Sequence, residues 1–257
     1  MPLSYSAKLE NARSNANPVA FNFTCAAGVR LLVLTLVIDG ATPRAGGAPT
    51  YNSVAMTQAD ATRQAVISPE TTVEMWYSID PGTGSAYSIS IPNTGSVYIS
   101  AEATSFKTYD AGNVPALRAA DYAQNTSTNP TGPTHTGLAF GDLIIAVVGY
   151  GDDSFSGSGG NATLLQGRDE GTYGWAVSYS IYAGGDAFIK WTDTTNEDWV
   201  IVSAVFKEAA VVTNTEISKA VAYSVLTVPV GVNISKAVAY AVLQESATVQ
   251  TICFVVT

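Results

Sequence analysis

Between residues 17 and 207 the apolar residues fall into runs of strand length, and no segment there sustains the 3.6-residue period of an amphipathic helix. Each run is bounded by Gly, Pro, Asn or Asp, the residues that turn a chain. The runs cover 19–24, 29–38, 53–58, 72–79, 86–91 and 97–106, then 143–150, 162–166, 174–182, 187–191 and 199–206. Strands stacked in sheets are what such a pattern can build. Residues 1–16 read as an N-terminal arm, 114–122 as room for one short helical turn, and 123–137 as a Ser/Thr/Asn/Pro/Gly link.

The two sets of runs follow one plan. Arg30-Leu31-Leu32-Val33 opens a long apolar strand, and Asp142-Leu143-Ile144-Ile145 opens its counterpart. A polar, Gly-rich loop follows each. Residues 52–58 echo 161–166, Tyr77-Ser78-Ile79 echoes Tyr179-Ser180-Ile181, and the sets close on Phe106-Lys107 and Phe206-Lys207. Two similar halves, 17–110 and 131–207, are implied. Neither buries its apolar face alone, so they are expected to pack as the two sheets of one sandwich. The expected fold is all-β: a jelly-roll-like β-sandwich built from two similar halves, followed by a C-terminal repeat-bearing β extension over 208–257.

That extension holds a near-exact duplication. Ile217-Ser218-Lys219-Ala220-Val221-Ala222-Tyr223-Ser224-Val225-Leu226 recurs as Ile234-Ser235-Lys236-Ala237-Val238-Ala239-Tyr240-Ala241-Val242-Leu243, with a single substitution, Ser224 for Ala241. As a strand, each copy places its large residues on one face: Ile217, Lys219, Val221, Tyr223 and Val225, then Ile234, Lys236, Val238, Tyr240 and Val242. As a helix, the alanines favour it and a Ser or Asn caps it. Val, Ile, Tyr and the Val-Pro-Val-Gly-Val connector weigh toward the strand. In either form, two such units are too small for a core of their own and need a surface to cover. The ten large residues are therefore the expected assembly interface.

Composition narrows the function. Charged residues are 13% of the 257, and the net charge is −9, which disfavours a nucleic-acid backbone as partner. No apolar stretch reaches the ~18 residues of a membrane span, and the start of the chain lacks the pattern of a signal peptide. The distant Cys25 and Cys253 are expected as two buried thiols.

A search for chemistry yields little. The single histidine, His135, has no nucleophile elbow to serve and is expected at the surface or a strand edge. One His and two distant Cys do not make a zinc site, and no phosphate-binding glycine loop occurs. No cofactor is expected. Glu74 and Glu102 are weighed as an acid–base pair, but nothing in their spacing joins them, and each is expected on an outward strand face. Asp152-Asp153 lacks the periodic ligands of a calcium loop and reads as a solvated turn. Trp76, Tyr77, Trp175, Tyr179, Trp191 and Trp199 sit inside strand patterns, so packing is their default. Phe155 and Tyr173, near loop tips, are better placed for a glycan.

The stretch Val73-Glu74-Met75-Trp76-Tyr77-Ser78-Ile79 with its Pro-Gly-Thr-Gly turn resembles sandwich domains of phage structural proteins and some bacterial surface proteins. The unit Ser-Lys-x-Val-Ala-Tyr-x-Val-Leu, carried by 218–226 and 235–243, resembles short repeats near the ends of tailed-bacteriophage virion proteins. The resemblance implies a virion component, assembled in the host cytoplasm; the low-charge sandwich, the missing catalytic set and the apolar repeat point to a capsid decoration, cement or head-fibre protein. Its partners would be copies of itself and other virion proteins, the major capsid protein foremost. A tail-associated adhesin or carbohydrate-binding module is the alternative, and a secreted β-sandwich hydrolase stands third.

Overall fold

A computed structural model describes residues 3–39, 46–59, 65–67, 71–94, 97–108, 113–151, 161–171, 173–192, 197–210, 238–245 and 248–255. The chain divides into two units, Met1–Ala210 and Val211–Thr257.

In the first half of the larger unit the strands are β1 (Ser4–Ser14), β2 (Val19–Thr24), β3 (Val29–Asp39), β4 (Thr50–Tyr51), β5 (Val54–Ala55), β6 (Thr57–Gln58), β7 (Ala65–Ile67), β8 (Thr71–Ile79), β9 (Ala86–Ile91) and β10 (Tyr98–Lys107). The second half supplies β11 (Asn113–Ser127), β12 (Leu143–Tyr150), β13 (Thr163–Asp169), β14 (Gly174–Ile181) and β15 (Glu197–Ala210). The smaller unit contains β16 (Val238–Glu245) and β17 (Thr248–Val255). No helix occurs among the described residues.

The first half is a jelly roll by its strand order. One sheet runs β1-β10-β3-β8-β6, with β7 also on β8; the other runs β2-β9-β4-β5. Counting β1 to β5 and then β8, β9 and β10 as eight strands, the sheets read 1-8-3-6 and 2-7-4-5, the double-sheet order of that architecture. The second half repeats the larger sheet strand for strand, as β11-β15-β12-β14-β13. Among the described residues its second layer consists of two paired segments. Thr131 bridges Lys190, and the amides of Gly132, His135 and Trp191 donate to Ile189 O, Ala187 O and Pro130 O.

Details of the copies agree. β1 skips one residue between Tyr5 and Ala7 opposite Phe106, and β11 skips one between Leu117 and Ala119 opposite Phe206. Ahead of the long central strand, Val29 N donates to Ala26 O and Asp142 N to Ala139 O, in turns whose third residues, Gly28 and Gly141, have φ of 82° and 92°. Only glycine adopts that conformation cheaply.

The two large sheets face each other. Leu31, Val33, Val37, Val73, Met75 and Phe106 from one meet Leu143, Ile145, Val147, Val177, Val202 and Phe206 from the other. The sheets approach closely at Gly149, where an added Cβ would lie 2.8 Å from Thr71 Cγ2 and 2.9 Å from Val73 Cγ1. The opposite face of the first sheet, with Leu32, Leu34, Leu36 and Ile38, packs on Val19, Phe23, Ile89 and Ile91 of the smaller sheet. The opposite face of the second, with Ile144, Ala146, Val148 and Ile201, lies under Ile189, Trp191 and Leu138. Both large sheets are thus covered on both sides, which explains why β3 and β12 are continuous apolar runs rather than alternating ones.

The all-β, jelly-roll-like sandwich of two similar halves is the observed fold, with one correction. Each half is not a single sheet of one sandwich; each carries its own second layer, because its central strands are apolar on both faces. Two local expectations also change. Residues 4–14, expected as an arm, form the edge strand β1, and 114–122, expected to allow a helical turn, lie within β11. Backbone pairing to β10 and β15 decides both, although their sequences show no clean alternation.

Candidate functional site

Along one side of the interface between the large sheets, β1 lies beside β13, and polar side chains link the two halves. Lys8 Nζ donates to Gln166 Oε1 at 3.0 Å, and Glu10 Oε1 pairs with Arg168 Nε at 2.7 Å. Arg168 also reaches Glu170 at 3.6 Å. Arg13 binds Asp39 Oδ2 at 2.5 Å, donates to Glu170 O at 3.4 Å and stacks its guanidinium 4.1 Å from the centre of the Tyr98 ring. Ser100 Oγ accepts from Tyr173 OH at 2.7 Å and donates to Glu170 Oε1 at 3.2 Å. At the far end Tyr5 stacks on Tyr179, with centroids 5.8 Å apart and planes 14° apart.

Glu102 sits within this seam. It lies on β10 directly opposite Glu10 on β1 and Thr35 on β3. Its carboxyl is fully buried; Thr104 Oγ1 donates to Oε1 at 2.9 Å, and Oε2 has no hydrogen-bond partner. Burial is the main cause that pushes its pKa up to about 7; Glu10 adds to the rise, while the Thr104 bond and Lys8 oppose it.

The outward placement expected for Glu74 and Glu102 is overturned, since both are fully buried. Flanking sheets cover both faces of the strands they occupy. The two carboxylates also lie on opposite faces of the same sheet. Glu102 shares its face with Thr35 and Met75; Glu74 faces the smaller sheet and accepts Trp76 Nε1 at 2.7 Å. They form no acid–base pair.

His135 is likewise buried rather than at the surface, because residues 130–142 lie down on the second sheet as its cover. Its Nε2 is 2.9 Å from Ser203 Oγ, and Asp121 is the register partner of Ser203 on β11. Ser, His and Asp therefore gather here. Ser203 is fully buried, however, so a substrate would reach it only if the cover lifted. Burial holds the ring's pKa below its ordinary value, against the field of Asp121.

Trp76, Trp175, Trp191 and Trp199 are core residues, as their strand patterns implied, and Tyr77 and Tyr179 are partly buried. Tyr173, expected at a loop tip, is fully buried in the seam, where its hydroxyl meets Ser100. Cys25 is a free, buried thiol. An open, shallow depression of about 460 Å³ is lined by Asn161, Ala162, Thr163, Tyr179, Ser180 and Ile181. Among the described residues no group of three or more His, Cys, Asp or Glu is placed to hold a metal ion. Asp152, Asp153 and Phe155 lie outside the described residues.

Of the ten residues expected at the assembly interface, Ile217, Lys219, Val221, Tyr223, Val225, Ile234 and Lys236 lie outside the described residues. Val238, Tyr240 and Val242 occupy alternate positions of β16, in antiparallel register with Val255, Cys253 and Thr251 of β17. The described part of the second repeat copy is therefore strand, paired as a hairpin.

The seam was the part missed from sequence. Its signal is Lys8-Leu9-Glu10, where alternation sets two opposite charges on one face of a strand. Comparison with protein-family models, with curated proteins and with solved structures gives no match for this chain.

Proposed function

We propose that the protein is a structural component of a phage particle, a capsid decoration, cement or head-fibre protein that binds neighbouring subunits. The observation that carries an assembly role is the β16–β17 hairpin. It is a two-stranded sheet in a unit separate from the jelly-roll body, and it holds the second repeat copy. An isolated two-stranded sheet is marginal in water, so the hairpin gains stability from another surface. Among the described residues β16 and β17 pair only with each other, which leaves each strand an edge to which a neighbour adds by main-chain pairing. The phage setting rests on the resemblance of the Ser-Lys-x-Val-Ala-Tyr-x-Val-Leu unit, and jelly rolls are a recurrent capsid and lectin architecture.

Deleting residues 211–257 tests this. The truncated chain should keep the near-ultraviolet circular dichroism and cooperative melting of the body, yet lose self-association and binding to particles. Undiminished assembly by the truncated protein would end the proposal.

A second reading, glycan binding by a tail-associated adhesin, is favoured by the depression beside Tyr179. An aromatic wall and the hydroxyls of Thr163 and Ser180, with no charged lining residue, suit a neutral sugar. Under this reading, Tyr179→Ala should abolish millimolar sugar binding measured by titration calorimetry. A glycan array blank at millimolar sugar would remove it.

A further inference from the structure

The seam between β1 and β13 holds one carboxyl whose charge state the geometry cannot accommodate both ways. Glu102 has no solvent exposure, and its Oε2 has no partner to receive a negative charge. The residue opposite it on β1 is another acid, Glu10. Directly paired residues of neighbouring strands have Cα atoms ~4.5–5.5 Å apart, so ionising the fully buried Glu102 sets its charge beside a second acid. Like charges so placed oppose ionisation. Glu10 has Arg168 as its ion-pair partner at 2.7 Å, whereas Oε2 of Glu102 has no partner.

We propose that the seam is a pH-operated latch on strand β1: with Glu102 uncharged the strand stays docked on β10 and β13, and with Glu102 charged it loosens. β1 is the element that yields because β10 is its sole ladder partner among the described residues and it forms an edge of its sheet. β10 and β3 are each paired on both sides, and β13, the edge strand of the other sheet, shares no ladder with β10.

The groups that face Glu102 can be named element by element. From β1 come Tyr5, Lys8 and Glu10. β3 presents the neutral Thr35, and β10 itself contributes Thr104 and Ser100. From the opposite sheet come Tyr179 on β14, stacked on Tyr5, and Gln166 and Arg168 on β13, with Glu170 just beyond. Lys8 is the one cation whose field favours the charged form, and its ammonium is already committed to Gln166. Arg168 is neutralised by Glu10 and Glu170. The acid's upward displacement to about 7 agrees with this arrangement and puts the transition near neutrality.

Amide hydrogen exchange on the full chain tests the latch, at pH 5.5 and 8.5 after correction for intrinsic exchange. Protection of the β1 amides should fall at least tenfold between the two, while that of β12 stays within threefold. The ceiling over this interval is about 30-fold, because a freed carboxyl near its ordinary value is already mostly ionised at pH 5.5. Glu102→Gln, uncharged at both values, should retain β1 protection at pH 8.5. Glu10→Gln removes the opposing acid, so the midpoint of the loss should move to lower pH, a readout independent of any uniform weakening of the seam. A β1 protection that ignores pH in the unaltered protein overturns the proposal. So does an undiminished fall in Glu102→Gln or, should that variant not fold, an unmoved midpoint in Glu10→Gln.

Discussion

Two buried titratable side chains give the body opposite pH sensitivities. Glu102 has a folded pKa raised by burial, so its protonated form is the stabilising one; that contribution is whole below the ordinary carboxyl range and is lost as pH rises through about 7. His135 has a folded pKa lowered by burial. The stability held by its neutral ring is whole above the ordinary imidazole value and is lost as pH falls through the lowered one. The acid limb of the stability curve should therefore belong to the cover over the second sheet. With the opposing contribution removed by Glu102→Gln, urea midpoints should fall between pH 7 and pH 5. When His135→Gln, whose amide still reaches toward Ser203, is added, the fall should be at least halved. A midpoint equally steep in both proteins would remove the histidine from the account. Neither residue betrayed its position in the sequence. A charged residue within Ala-Glu-Ala or a histidine within Pro-Thr-His-Thr reads as solvated by default, and only the layers packed above them reverse that reading.

At the level of elements, legibility followed burial. The residues of β3, β8, β12 and β14 carry enough Val, Ile, Leu and aromatic side chains to mark themselves as strands. β1 and β11 do not: Glu10-Asn11-Ala12-Arg13 and Arg118-Ala119-Ala120-Asp121 are edge sequences, polar or alanine-rich, whose conformation is set by the neighbour they pair with. Of the two cover segments, 187–191 stood out as a run of strand length, while 130–135 was hidden for a related reason. They form a layer by a single bridge and a few backbone bonds, with Ile189 and Trp191 as apolar anchors. At Gly149, β12 lies close against β8 and β3. Gly149→Ala forces a methyl into Thr71 and Val73 within a packed interface. Overpacking of that kind costs about 1–3 kcal/mol, against roughly 0.5–1 kcal/mol returned by stiffening a glycine in a strand. A net loss of about 1–2 kcal/mol is expected from denaturant unfolding, with an unchanged m-value.

For the whole molecule, the doubled plan was readable from a handful of landmarks, above all the two Phe-Lys closures and the two Tyr-Ser-Ile strands. Phe106 and Phe206 each sit opposite the leucine that opens a central strand, Leu31 and Leu143. What the landmarks could not convey is that each copy is layered in itself: the runs 19–24 and 86–91 were legible as strands, but nothing in them says that they pair with each other in a second sheet. The C-terminal duplication was the plainest sequence signal, and the described half of its second copy is strand. The chain leaves the body at Ala210, the last residue of β15, where the strand has run past β12 and pairs with Asn113 of β11 alone. That exit has a mechanical meaning. A pull on Ala210 along the strand axis would load the long β11–β15 ladder in shear, many hydrogen bonds at once, rather than peeling them one by one. A body held to a particle by its tail would resist such a tug at the strand best built to bear it.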